Sequence, residues 1–157
     1  MIAARYTQGG RLRIADVPVP GIAEDELLLR VEASAICGSD LKIIRHGHRK
    51  LRDGQAVTLG HEFVGTIRQA GSRVEGYPVG MRVGVAPNLG CGSCEMCRRG
   101  LGNMCPDYEA FGITFDGAHA EHVRIPEKAI AKGNVIPIPE NVRPVDASLL
   151  EHVSCAL

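Results

Sequence analysis

Residues 1–36, MIAARYTQGGRLRIADVPVPGIAEDELLLRVEASAI, decide the fold class. Three short runs, MIAARY, RLRIADV and ELLLRVEAS, carry the branched and apolar residues of half-buried strands. Gly9-Gly10 separates the first two, and the stop at Pro18 to Gly21 separates the second from the third. Gly and Pro keep punctuating the chain at short intervals, at Gly60, Gly65, Gly71, Pro78-Val79-Gly80, Gly84 and Pro87. FVGTIRQAG and RVGVAP fit further short strands, with glycines at bends or close backbone approaches. This rhythm predicts a mainly β chain, a barrel or a sandwich.

Working outward, 157 residues with 45% hydrophobic and 23% charged residues have ordinary globular composition, which excludes disorder, collagen and coiled coil. One domain is expected, large enough to form a core without disulfide staples. No apolar run approaches membrane length, and MIAARYTQGG lacks the apolar centre of a signal peptide. The chain is therefore expected to be soluble and cytoplasmic. Eighteen Lys and Arg balance eighteen Asp and Glu, and only three Tyr and three Phe are present. That leaves neither the cationic excess nor the stacking rings of a nucleic-acid surface.

Beyond Pro137 to Pro139 the pattern turns helical. Asp146 is expected to cap a helix burying Leu149, Leu150, Val153, Ala156 and Leu157 on one face. Residues 1–145 thus form one unit, and 146–157 begin a further helix.

Four of the six cysteines cluster as Cys91, Cys94, Cys97 and Cys105, spaced C-x2-C-x2-C-x7-C. Two-residue gaps turn neighbouring thiolates toward one point, and a return loop loosened by Gly100 and Gly102 brings the fourth, as a structural Zn²⁺ requires. Disulfides are the bland alternative, disfavoured by the missing secretory signal and by three cysteines within seven residues. An iron–sulfur run is the sharper rival, but its last gap is normally three residues rather than seven. A second set is Cys37 with Gly60-His61-Glu62. Thiolate, imidazole and carboxylate suit a zinc site with an open position, and Asp40 is placed to orient His61.

Taken in order, four motifs resemble the zinc-containing medium-chain dehydrogenases along the whole chain. They are Cys37-Gly38-Ser39-Asp40, then Gly60-His61-Glu62-x2-Gly65-x5-Gly71-x2-Val74, then the Cys91 to Cys105 lobe, then Gly117-Ala118-x-Ala120-Glu121. The resemblance implies a GroES-like, partly open β-barrel with a few short helices and a zinc-binding cysteine lobe. It also implies two zinc ions: a structural one in the lobe and a catalytic one at Cys37, His61 and either Glu62 or Glu151. A glutamate at 151 is similar to the sorbitol, polyol and threonine dehydrogenase branches. Cys155, one helical turn on, is read as a core thiol.

Three positions depart from the family pattern. Met81 stands where Asp is frequent, a change read as the loss of a surface contact. His152 stands where Pro follows the later glutamate, and Lys42 where many relatives carry a relay histidine. The implied chemistry is oxidation of an alcohol or polyol, with Ser39 and Glu62 in the reacting centre and Ser39 taking the hydroxyl proton. Hydride would pass to NAD or NADP, yet no G-x-G-x-x-G occurs in these residues. A Rossmann domain is therefore expected to follow Leu157, the chain alone is expected to be inactive, and the full-length protein is expected to form a homo-oligomer. The run Lys42 to Arg52, KIIRHGHRKLR, is read as a solvated face or as cations favouring a phosphorylated polyol. The reading from another class is a non-enzymatic zinc-binding module.

Overall fold

The computed structural model describes residues 1–157. The first hairpin forms where the sequence predicts it: β1 (Ile2–Thr7) pairs antiparallel with β2 (Leu12–Asp16) across Gly9-Gly10. β3 (Leu27–Ala35) follows, then α1 (Gly38–His46), β4 (Ala56–Thr58), β5 (Glu62–Ala70) and β6 (Arg82–Val85). Next come β7 (Asn88–Leu89), α2 (Glu95–Arg98), β8 (Glu109–Ala110), β9 (His122–Ile125), α3 (Glu127–Ala131) and β10 (Val135–Pro137). Two short helices, α4 (Pro144–Ala147) and α5 (Leu150–Ala156), end the chain.

Three antiparallel sheets result, in the orders β2-β1-β4, β10-β6-β5-β3-β9 and β7-β8. Residues 117–121 join the first two. Ala4 N–H donates to His119 O at 2.8 Å, His119 N–H to Leu59 O at 2.8 Å, and Val31 N–H to Glu121 O at 2.9 Å. The joined sheets curl into a mainly β, partly open barrel, with β2 and β10 left as edges. Its interior is filled by Leu27, Leu29, Phe63, Ile67, Val83, Phe111, Val123 and Ile125. β5 is covered on both faces: Phe63 points into the barrel, and Val64 packs under α4 with Ile138 and Ala147. That double burial is why Phe63, Val64 and Gly65 of β5 run apolar without alternating.

Met81 is half-buried against the barrel core, so its side chain adds packing where only a lost surface contact was expected. The C-terminal helix also differs from expectation. Pro144 takes the first helical position, which its fixed φ and missing N–H favour, so the helix starts at Arg143 rather than at Asp146. Asp146 instead receives a two-pronged bond from Arg143, at 2.7 and 2.8 Å. The helix breaks at Ser148-Leu149, and only Ala147 and Ser148 are buried near the break. Leu149, Leu150, Val153, Ala156 and Leu157 are exposed: past the break α5 meets β5 through His152, beside Glu62, and leaves these apolar side chains uncovered. Cys155 is likewise exposed and is not a core thiol. No helix is long and apolar enough to cross a membrane.

Gly117 marks the tightest approach in the closure: a Cβ there would lie 2.0 Å from Gly60 O. Gly117→Ala is expected to cost about 3 kcal/mol through overpacking. For a chain of this size that loss lowers Tm by ~6–12 °C. Gly21→Ala, where nothing lies within 4 Å of the added methyl, is the control. It should stay within about 0.5 kcal/mol, as read by thermal denaturation.

Candidate metal centres and cleft

The cysteine lobe is an excursion between the paired strands β7 and β8. α3 pins its base: Lys128 pairs with Glu109, and Lys132 Nζ donates to Gly90 O. Within the lobe, Cys91, Cys94, Cys97 and Cys105 bring their sulfurs within 4.8 Å of one another. The Cys91–Cys97 and Cys94–Cys105 separations are 4.0 and 3.8 Å. Tetrahedral coordination at ~2.3 Å puts sulfurs about 3.8 Å apart, so the cage matches one ion. These gaps are too long for disulfides, all six cysteines are free, and four sulfurs this close leave no room for a multi-atom cluster between them.

Backbone N–H groups of Cys91, Cys94 and Cys97 donate to Cys105, Cys91 and Cys94 sulfurs at 3.3 to 3.4 Å, which favours thiolates. The Ser93 hydroxyl, together with backbone N–H donors, brings the Cys91 thiol down to about 5. Gly90 is required beneath the cage, since a Cβ there would stand 2.7 Å from Cys97 Sγ.

The second set lies where α1 begins and β5 begins. Cys37 is the N-cap of α1, and Asp40, at the third helical position, accepts its backbone N–H through Oδ2 at 3.0 Å. Asp40 Oδ1 lies 3.6 Å from His61 Nδ1 and Oδ2 lies 3.4 Å from His119 Nε2, with the carboxylate nearly sealed from water. Burial alone would raise the Asp40 pKa, but the two histidines and the Cys37 N–H hold it well below the carboxylate range. Burial likewise opposes charge on His61, yet Asp40, then Cys37, outweighs it and pushes His61 up to about 9. The Ser39 hydroxyl faces the other ring nitrogen, 3.1 Å from His61 Nε2.

Glu62 opens β5 with its residue only 1% exposed, and neither carboxylate oxygen has a hydrogen-bond partner. Burial raises its pKa. A buried acid left this way is costly unless something else meets it. His61 Nε2 stands 3.8 Å from Oε1 and His152 Nε2 stands 3.3 Å from it. The ligand atoms of Cys37, Glu62 and His152 fall within 4.8 Å of one another. The donor set therefore fits a cation with soft, imidazole and carboxylate ligands. Neither His61 nor Glu151 is in that tight group; the Glu151 carboxylate stands beside Glu62, adds to the upward push on the Glu62 pKa, accepts from Cys155 Sγ through Oε1 at 3.4 Å, and lines the adjoining cleft.

That cleft, about 390 Å³, has Cys37, Ser39, His61 and Glu151 at one side and Asn88, Asn103, Tyr108, Phe111 and Ile113 around them. Phe111 belongs also to the barrel core, edge-on to Phe63 with centroids 5.5 Å apart, so the cleft wall rests on rigid packing. The Lys42 to Arg52 run divides. Lys42 is exposed on α1, whereas Lys50 sits 4.7 Å over the Tyr108 ring and His48 Nε2 lies 3.3 Å from its hydroxyl. His119, Tyr108, Asn88 and Asn103 carried no spacing signal in the sequence. His152 was visible only as a substitution beside Glu151.

Residues 23–140 match the family model described as the alcohol dehydrogenase GroES-like domain. The chain is 38% identical over 144 residues to an L-threonine 3-dehydrogenase of Xanthomonas oryzae pv. oryzae, covering 90% of this chain and 40% of the relative. It thus spans about 40% of the length of the curated relatives it matches. Among solved structures, one described as a zinc-binding dehydrogenase from Sinorhizobium meliloti 1021, bound to NADP, superposes with a TM-score of 0.84. It is 36% identical and covers 98% of this chain and 43% of that one. Galactitol-1-phosphate dehydrogenase from Escherichia coli gives 0.83 at 30% identity, covering 98% and 42%. The barrel that joins two sheets around a four-cysteine lobe and a Cys-His-Glu corner thereby has its lineage: the chain belongs to the alcohol dehydrogenase GroES-like domain family.

Proposed function

We propose that these residues are the catalytic domain of a zinc-dependent, NAD(P)-linked alcohol or polyol dehydrogenase, residues 1–145 forming the domain and 146–157 leading out of it. The observation that carries this reading is the buried Glu62 carboxylate, without a hydrogen bond to either oxygen, beside Cys37, His61 and His152 at the side of a cleft. Relatives that act on threonine and on galactitol 1-phosphate by name support a secondary alcohol as substrate. Zinc at this corner supplies Lewis acidity that lowers the pKa of an alcohol oxygen.

The chain's own residues do the rest. Asp40 keeps a proton on His61 Nδ1 and so points Nε2 outward. Ser39 Oγ, exposed at the cleft side of His61 Nε2, takes the hydroxyl proton as it passes its own outward to solvent. Phe111 and Ile113 exclude water from the apolar side of the cleft, while Tyr108, braced by Lys50 and His48, offers its hydroxyl to a polyol or its phosphate. The four-thiolate lobe holds a second, structural zinc. With six free thiols, a reducing cytoplasmic setting fits. The nicotinamide cofactor is held by a dinucleotide-binding fold outside these residues, which carry no glycine fingerprint, and the full-length protein associates as a homo-oligomer.

Metal analysis tests the reading directly. The chain should bind two zinc equivalents and Cys37→Ser one; a second equivalent that is absent, or indifferent to Cys37→Ser, leaves a zinc-binding module rather than an enzyme. Supplied with NAD⁺ or NADP⁺ and a secondary alcohol, the 157 residues alone should give no turnover. Steady turnover by a homogeneous sample would overturn the assignment of the acceptor to a separate fold. In the protein carrying that fold, Ser39→Ala should lower kcat by about 10²-fold or more with zinc content unchanged. An unaltered kcat removes Ser39 from the proton path.

A further inference from the structure

We propose that His152, rather than Glu151, is the ligand that α5 contributes to the metal at Cys37, His61 and Glu62. This assignment rests on the metal-site reading above and goes beyond it by changing the shell. Three observations carry it.

The first is position. His152 Nε2 lies 3.3 Å from Glu62 Oε1, and together with Cys37 Sγ these atoms lie within 4.8 Å of one another. Ligands about 2.0–2.3 Å from a tetrahedral zinc stand ~3.3–3.8 Å apart. The His152–Glu62 gap, and the 3.8 Å between His61 Nε2 and the same oxygen, match that spacing.

The second is that His152 comes this close to Glu62 without bonding to it. Glu62 Oε1 keeps no hydrogen-bond partner, although its side chain is 0% exposed. A buried carboxylate oxygen without a hydrogen bond, 3.3 Å from an imidazole nitrogen, is a pair that a shared cation would satisfy.

The third is charge. Cys37 thiolate and Glu62 carboxylate neutralise a divalent ion, and neutral imidazoles complete the shell at zero net charge. Adding Glu151 would leave an uncompensated negative charge in a site that already buries one carboxylate completely. Adjacent residues on a helix point ~100° apart, so α5 presents the two groups to Glu62 from different sides. As built, His152 Nε2 joins the Cys37–Glu62 group, while the Glu151 carboxylate, also beside Glu62, lies outside that group and accepts from Cys155 Sγ.

Cadmium-113 NMR of the ¹¹³Cd²⁺-loaded chain reads both metal sites at once. Two resonances are expected: a deshielded one from four thiolates and a more shielded one from the mixed set. His152→Ala should move the mixed resonance upfield as nitrogen gives way to water, leaving the four-thiolate line in place as the sign of an intact fold. In chelator competition the Zn²⁺ affinity of the mixed site should fall by at least the 10–100-fold that outer partners alone cost. Glu151→Gln should leave that resonance where it is. The assignment is overturned if His152→Ala changes neither resonance nor affinity while Cys37→Ser abolishes the mixed line; the metal site itself would then stand. It is overturned in favour of Glu151 if only Glu151→Gln shifts that line. A wild-type chain showing the four-thiolate line alone removes the mixed site and this ligand with it.

Discussion

The Asp40 carboxylate ties together three segments that are far apart in the chain. It accepts the Cys37 N–H at the start of α1 and the Gly60 N–H at the entry to β5, at 3.0 and 3.4 Å, while His61 and His119 stand at 3.6 and 3.4 Å. His119 belongs to the strip that joins the two sheets, and its Nδ1 is bonded in turn to Ser34 on β3 at 2.9 Å. The helix that carries the thiol, the strand that carries the imidazole and carboxylate, and the closure of the barrel therefore meet at one buried charge. A buried anion is tolerable only when surrounded by such donors, so its location and the location of the site are the same constraint.

The barrel and the site also share atoms of the core. Phe63 follows Glu62 directly on β5 and packs edge-on to Phe111, which both fills the barrel and walls the cleft. Alternation along the strand turns consecutive side chains to opposite faces, so burying Phe63 in the barrel turns Glu62 the other way, toward Cys37 and α5. Rigid packing on one side thus fixes a carboxylate on the other. The missing hydrogen bonds of Glu62 are a local violation of an otherwise well-satisfied structure, and such violations gather where chemistry is done.

The cysteine lobe follows a different logic. Its four ligands come from one short stretch, their thiolates are favoured by backbone N–H groups of that stretch, and α3 fastens the whole to the barrel through Lys128 and Lys132. Local chain geometry suffices to gather them. The mixed corner instead draws on α1, β5 and α5, and only the folded barrel brings those elements together.

The strands, the hairpin at Gly9-Gly10, the four-cysteine cage and the pairing of Cys37 with Gly60-His61-Glu62 were legible in the sequence, because turn chemistry, apolar runs and two-residue ligand spacing are properties of short stretches. So was Asp40 as the partner of His61, from its place three residues past Cys37. The start of α4 was misplaced: Pro144 at the first helical position outweighs Asp146 as a cap. Helical spacing alone predicted a buried face for Leu149 to Leu157 and a core thiol at Cys155. A break at Ser148-Leu149 turns α5 so that it meets β5 at Glu62 and leaves them exposed. That same turn sets how Glu151 and His152, ~100° apart in direction on the helix, each approach Glu62. Residue type and spacing, in short stretches, set the chemistry available to this chain; the long-range closure of the barrel and the angle of one seven-residue helix decide which of those groups share a space.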